Sequence, residues 1–160
     1  MIHNFLLKVK KYKFEILVFV AVLLLDRITK VITLKFLLSK GSIDILPFLS
    51  FTYVENTGSA FGLFQNANLF LLIVSILILV LMIKWREDIL ELGNLARYGY
   101  LLIFAGALGN IYDRIVLGYV VDFIDFHFWP VFNIADSAIC IGACLIAFAV
   151  LLEKKKEIKK

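Results

Sequence analysis

Four long apolar runs organise this chain. Phe14–Leu34 is broken by Asp26, Arg27 and Lys30, and in Leu69–Ile83 only Ser75 is not apolar. Tyr98–Leu117 turns polar in its second half, and Ile134–Leu152 carries Asp136 and Ser137 near its start. With flanking residues and tilt, each run approaches the ~20 residues that a helix needs to cross a bilayer. The pattern predicts helical spans over about 14–34, 67–85, 98–117 and 134–152. The runs are continuous rather than alternating, which excludes barrel strands. Two long connections, 35–66 and 118–133, have a different texture. Within the first, Ile43, Ile45, Pro47, Phe48, Phe51 and Tyr53 form short alternating runs punctuated by Pro and Gly, which predicts a small strand-rich layer. The second holds Tyr119, Phe123, Phe126, Phe128 and Trp129 and is expected along the membrane interface as an interfacial helix or lid loop. The connection between the second and third runs is short and charged (Glu87, Asp88, Glu91) and reads as a solvated turn.

Composition narrows the class. Of 160 residues 62% are hydrophobic, and the mean hydropathy is +0.93. A water-soluble fold of this size lacks the interior to hide so much apolar surface. Disordered, collagen-like and coiled-coil classes fall on the same ground. With two prolines, nine glycines and no linker-like stretch, one polytopic, all-α membrane domain covers residues 1–160. No internal repeat is visible, which weighs against an inverted-repeat transporter.

The net charge of +4 would suit nucleic acid, but its placement does not. Lys8, Lys10, Lys11 and Lys13 precede the first run, Lys84, Arg86 and Arg97 lie between the second and third, and Lys154, Lys155, Lys156, Lys159 and Lys160 follow the fourth. The other two connections hold only Lys35 and Lys40. Basic residues stay on the cytoplasmic side, so both termini are expected there, with the tails touching lipid headgroups. Basic residues before an apolar stretch also resemble a secretory signal. No small-x-small cleavage site follows, so a retained first helix is expected. Cys140 and Cys144, four apart in an apolar run, read as small packing residues rather than metal ligands.

Ionisable groups inside a span cost about 2.5–3.5 kcal/mol each on insertion scales, so they require a partner, a cavity or a function. Five clusters stand out, all toward the expected outer side. Asp26 and Lys30 are four apart and can pair along one helix face; a structural ion pair and a direct catalytic role both fit. Asn56-Thr57-Gly58-Ser59-Ala60-Phe61-Gly62 is a turn rich in small residues, whose Asn56 fits either an Asx turn or a contact to substrate backbone. In Gly106-Ala107-Leu108-Gly109-Asn110-Ile111-Tyr112-Asp113-Arg114 the glycines permit close helix contact, and Asn110 shares a face with Arg114. Arg114 can hold a carboxylate in fixed orientation, while Asp113 reads as an interfacial anchor. The fourth cluster contains Asp122 and Asp125. In the fifth, Asn133 is a natural N-cap that puts Asp136 at the third helical position.

Taken together these residues form a chemical kit. Two carboxylates held close cannot both ionise easily, so one pKa rises and the pair shares a proton. One then activates water as base, and the other acts as acid on the carbonyl oxygen or the leaving amine. Other hydrolytic kits are missing: there is no His-Glu-x-x-His and no Gly-x-Ser-Gly, and Ser39-Lys40 is a weak pair in a loop. No metal set or cofactor is indicated.

The motifs Asp26-x-x-Thr29-Lys30, Asn56-x-Gly58-x-Ala60-Phe61, Gly106-Ala107-Leu108-Gly109-Asn110-x-x-Asp113-Arg114, Val121-Asp122-Phe123 and Phe132-Asn133-x-Ala135-Asp136-Ser137 occur in order, and the stretch from about 14 to 152 closely resembles lipoprotein signal peptidase, the bacterial type II signal peptidase. Phe104-Ala105 departs slightly from the more usual Gly-Gly form. The resemblance implies an intramembrane aspartyl endopeptidase in the bacterial inner membrane. It would cut the signal peptide of a prolipoprotein just before the diacylglyceryl-modified cysteine, and globomycin would block it. Asp122 and Asp136 then match the catalytic dyad, and Asp26, Lys30, Asn56, Gly58, Gly106, Asn110, Arg114, Asn133 and Ala135 match supporting positions. Two rivals from other classes stay open at this point: a small proton- or ion-conducting protein using Asp26, Asp113, Asp122 and Asp136 as a relay, and a non-enzymatic assembly factor.

Overall fold

The computed structural model describes residues 13–58 and 67–157. The basic residues Lys8, Lys10, Lys11, Lys159 and Lys160 and the Ser59–Gly62 part of the small-residue turn lie outside the described residues. In chain order the elements are α1 (Lys13–Leu37), β1 (Ser42–Leu46), β2 (Leu49–Asn56), α2 (Asn68–Lys84), α3 (Arg86–Glu91), α4 (Asn94–Val116), β3 (Val120–Asp125) and α5 (Ile134–Glu157).

The helices are built with polarity reversed relative to a water-soluble bundle. In α1 the buried residues are Asp26, Lys30, Thr33 and Leu37, whereas Leu17, Leu24, Leu25, Ile28, Val31 and Ile32 point outward. The spacing 26, 30, 33, 37 is one helical stripe, and here the stripe facing the protein is the polar one. α2 likewise leaves Leu69, Ile73, Leu77 and Val80 exposed while Leu79 and Met82 pack inward on Tyr100, Ala107 and Ile111 of α4. An apolar exterior around buried charge is the arrangement that a lipid solvent selects. Among the described helices, only Ile134–Lys155 is both long and apolar enough by itself to cross a membrane, and Asn68–Lys84 is apolar but shorter. α1 and α4 are long enough but carry the charged residues that build the interior.

α4 and α5 make the closest helix pair, and glycine sets their separation. A Cβ on Gly99 would stand 2.6 Å from the carbonyl oxygen of Gly142, and a Cβ on Gly142 would stand 2.6 Å from that of Gly99. Near the other end of the same seam, a Cβ on Gly106 would run into the carbonyl oxygen of Ala135. Backbone therefore meets backbone along the length of the pair, as small residues allow between helices in lipid.

The strands form one antiparallel sheet in the order β1-β2-β3. β1 and β2 pair with Ser42 opposite Thr52 and Ile43 opposite Phe51, within the stretch where alternation predicts strands. β3 is a difference from the sequence expectation, which laid 118–133 along the membrane interface. Residues 120–125 instead add a third strand, with Val54 opposite Asp122 and Asn56 opposite Val120. The physical reason is the run Val120-Val121-Asp122-Phe123-Ile124-Asp125: β-branched and aromatic residues suit a pleated surface, and Val120 through Phe123 are all buried. No helix forms in 118–133; a loop follows β3 and returns, where Phe132 bridges Ile124 and the N–H groups of Phe123 and Ile124 both donate to the Phe132 carbonyl. That return places Asn133, and with it the start of α5, beside Asp122.

Candidate functional site

Four elements converge: the second half of α1, the ends of β2 and β3, the last turns of α4 and the first turn of α5. Asn133 opens α5 with a reciprocal cap. Its side-chain carbonyl accepts the Asp136 N–H at 2.8 Å, and its own N–H donates to Asp136 Oδ2 at 3.2 Å. This is the capping-box geometry with Asp in the third position. It fixes Asp136 and leaves the Asn133 amide nitrogen free to point at β3. That nitrogen donates to Asp122 Oδ1 at 2.7 Å, with Asn110 Oδ1 at 3.2 Å and the Val121 carbonyl at 3.3 Å as further acceptors. One asparagine thus holds both carboxylates.

Each remaining carboxylate oxygen has a neutral amide donor. Asn56 Nδ2 donates to Asp122 Oδ2 at 2.7 Å, and Asn110 Nδ2 donates to Asp136 Oδ1 at 2.8 Å. Asn56 Oδ1 accepts the Gly58 N–H at 2.9 Å, so the Asx turn forms and the same side chain also orients Asp122. Neutral donors aim the oxygens without neutralising them. The cation sits one step back. Lys30, fully buried, spends its three hydrogens on Asn110 Oδ1 at 3.0 Å, Asp26 Oδ2 at 2.9 Å and Asp113 Oδ2 at 2.9 Å. Asp26 and Lys30 form the i,i+4 pair that their spacing allows. Asp26 Oδ1 also accepts the Ala135 N–H at 3.0 Å, so α1 caps α5 from outside.

Asp122 is 1% exposed. Burial, and then the negative charge of Asp136, push its carboxyl up to about 7, against hydrogen bonds from Asn56 and Asn133 that favour the charged form. The two acids form one interacting system.

Asp122 and Asp136 line one cavity of about 580 Å³ together with Asn56, Gly58, Asn110 and Arg114. Its far wall is Trp129, Pro130, Val131 and Phe132, and Ile103 and Ile139 make its apolar floor. Of the sequence-selected residues, Asp122, Asp136, Asn56, Gly58, Asn110 and Arg114 reach this space. Lys30, Asp26, Asn133 and Ala135 support it from behind, and Gly106 sits at the helix seam.

Two readings of the third cluster change. Arg114 makes no ion pair among the described residues, and its Nε is buried without a partner there. Asp113 is not a surface anchor. It is fully buried between Lys30 and Arg27 Nη1, the latter at 2.9 Å, and accepts the Val121 N–H at 3.3 Å. Adjacent helical residues point about 100° apart, so Asp113 and Arg114 serve different faces. Arg27, which the motifs passed over, binds Asp113 and stacks over Tyr112 with its guanidinium 5.0 Å from the ring centre. A second unforeseen group lies on the sheet. Ser50 Oγ donates to Asp44 Oδ1 at 2.7 Å, so His127 Nε2, also at 2.7 Å, must carry the hydrogen of the Ser50–His127 bond. His127 takes a left-handed φ of 65° with its N–H on Asp125 Oδ1 at 2.7 Å. Only a long-range view could find these pairs, because 86 residues separate Arg27 from Asp113 and 77 separate Ser50 from His127. Asp125 accepts from Thr52 on the sheet and does not line the cavity.

Comparison with known proteins gives a consistent picture. Residues 18–152 match the family described as signal peptidase (SPase) II. The lipoprotein signal peptidase of Thermodesulfovibrio yellowstonii is 44% identical over 148 residues, covering 89% of this chain and 97% of that protein. The lipoprotein signal peptidase of Clostridium novyi is 42% identical over 147 residues, covering 88% of this chain and 99% of that one. A bacterial membrane enzyme solved by the in meso method at 2.3 Å superposes with a TM-score of 0.81 at 34% identity, over 92% of this chain and 93% of the other. A second, at 1.9 Å, gives 0.74 at 35% identity, over 87% and 93%.

Proposed function

The chain belongs to the signal peptidase II family of membrane peptidases that remove lipoprotein signal peptides, and we propose that it does so as an aspartyl endopeptidase working through Asp122 and Asp136. The observation that carries this is the shared grip of Asn133 on both carboxylates at the wall of one cavity.

The proposed chemistry follows from that grip. With one proton between them, one member of the pair is a carboxylate and the other an acid. The carboxylate removes a proton from water as the water oxygen attacks the scissile carbonyl carbon, and the acid protonates the carbonyl oxygen. Collapse of the tetrahedral intermediate breaks the C–N bond. The member that took the water proton delivers it to the departing amine, and the other recovers its own from the collapsing hydroxyl. Asn56, Asn110 and Asn133 keep the oxygens aimed throughout. Lys30, bound to Asn110, sets a positive charge behind the dyad that favours a carboxylate there without pairing with either acid. Arg114, a residue of the cavity wall with no ion pair among the described residues, supplies a cation for peptide carbonyls there.

In this proposal four helices, α1, α2, α4 and α5, span the bacterial inner membrane with both termini in the cytoplasm. Clustering of Lys and Arg around 84–97 and at the chain ends supports that orientation. The sheet and the dyad then lie near the outer face. A lipidated cysteine is anchored at that depth, so the cut falls just before it, and the loop over 126–132 acts as the lid over the peptide. Globomycin-type inhibitors would occupy the same cavity. The gathering of Asp26, Asp113, Asp122 and Asp136 in one region supports hydrolysis over a proton relay, which needs acids spread along the helices.

The test is gel mobility of a diacylglyceryl-modified precursor incubated with the purified chain in lipid vesicles. A processed band that globomycin abolishes is expected. Equal processing of the unmodified precursor would contradict the placement of the cut, and no processing at all would contradict the reading.

A further inference from the structure

A second cavity, of about 410 Å³, opens at the opposite end of the helices from the dyad, between the start of α1 and the α3–α4 corner. Arg97 and Asn110 both sit on α4, thirteen residues apart in number, so at 1.5 Å per residue the arginine rim of this cavity lies about 20 Å along the helix from the Asn110 that serves the dyad. The volume lies within the usual range of ligand sites, about 300–1,000 Å³. The walls are Phe19 of α1, Leu90 of α3, and Leu101 and Phe104 of α4. The rim carries Arg86, Arg97 and Glu15.

The rim charges do not balance. Glu15 reaches Arg97 at 3.4 Å, a long contact with the Arg97 side chain still 34% exposed. Arg86 is exposed, and among the described residues no acid pairs with it. One carboxylate thus faces two guanidiniums over a greasy slot. Beside it, Lys84 lies over the ring of the exposed Trp85 at 5.4 Å, and such aromatic–basic pairing favours the membrane–water boundary. The occupant that completes this site has a negative headgroup for the arginines and a hydrocarbon chain for the slot.

We propose that this cavity is a discrete binding site for one anionic diacyl phospholipid, its phosphate on Arg86 and Arg97 and an acyl chain along Phe19, Leu90, Leu101 and Phe104. Guanidiniums match phosphate geometry with paired donors. Basic pockets between membrane helices hold anionic headgroups in this way. A zwitterionic headgroup would bring its own cation against Arg86 and bind less well. The site differs in kind from the diffuse attraction of the lysine tails, because it requires both the arginines and the slot.

The test is native mass spectrometry of the full chain in detergent, with phosphatidylglycerol or phosphatidylcholine of identical acyl chains. One phosphatidylglycerol retained at least tenfold more tightly than phosphatidylcholine is expected. Arg86→Gln touches no packed interior, and Leu90→Trp fills the slot without touching charge; each should weaken retention about tenfold, while Lys154→Gln with Lys155→Gln should not. Glycerophosphoglycerol, the headgroup without chains, should not compete. Equal retention of the two lipids, full competition by the chainless headgroup, or unchanged retention in either pocket variant overturns the proposal.

Discussion

Lys30→Met is the sharpest perturbation of the interior. The wild-type ammonium holds Asp26, Asp113 and Asn110 at 2.9, 2.9 and 3.0 Å, and it is completely buried. Methionine keeps a similar volume, one heavy atom shorter, but removes all three bonds and the charge. Asp113 retains Arg27, while Asp26 retains only the Ala135 N–H, so a carboxylate with no cation is left in the interior. Removing one partner of a buried ion pair costs about 3–5 kcal/mol. For a chain of this size 1 kcal/mol moves the melting midpoint by about 2–4 °C, so a fall of roughly 6–20 °C is expected. The assay is thermal unfolding of the purified protein in detergent, followed by tryptophan fluorescence. The double variant Lys30→Met with Asp26→Asn should recover part of the loss, because it removes the stranded charge, and Asp113→Asn alone should cost less than Lys30→Met. A midpoint within 2 °C of the parent, or no recovery in the double variant, would refute the idea that the ion network holds α1, α4 and α5 together.

Three further outcomes follow from the same geometry. Asn133→Ala removes the shared grip and the cap, so cleavage should fall at least a hundredfold with about 1–2 kcal/mol lost from the cap; unchanged turnover would count against the shared grip. Gly106→Val places a side chain against the Ala135 backbone at the foot of the dyad helix, so the melting midpoint and the rate should both drop, whereas Gly41→Ala, in open space but at a positive φ, should cost only local strain. Because burial and Asp136 raise the Asp122 carboxyl to about 7, the proton that the pair shares is lost as pH rises through that value, and cleavage should decline on the alkaline side. The folded state also holds that proton more tightly than the unfolded chain does. The associated stability is present at low pH and disappears as pH rises through about 7, and Asp122→Asn should flatten that trend in melting curves.

What the sequence revealed depended on how local the physics was. The Asn133–Asp136 cap and the Asp26–Lys30 pair span three and four residues, where helix geometry alone fixes the neighbours. The alternation within 35–66 marked a small strand-rich layer for the same reason, and β1 and β2 form there. β3 was hidden because the aromatics around it look the same whether they lie in an interface or on a sheet; only the pairing of Val54 with Asp122 distinguishes the two. Asp113 looked like an anchor because its partners, Arg27 and Lys30, sit on another helix. The Ser50–His127–Asp44 contact depends on the same strand pairing and carried no motif. Asn56 shows a different limit: its carbonyl makes the Asx turn, and its amide serves Asp122, a role that neither reading of the isolated turn contained.

The most direct test of the central claim is single-turnover cleavage of a diacylglyceryl-modified precursor by Asp122→Asn and by Asp136→Asn, each first verified as folded and membrane-inserted. Loss of cleavage in both, with Asp125→Asn retaining most of its rate, is the predicted result. Turnover surviving in either dyad variant, or loss only in Asp125→Asn, would contradict it.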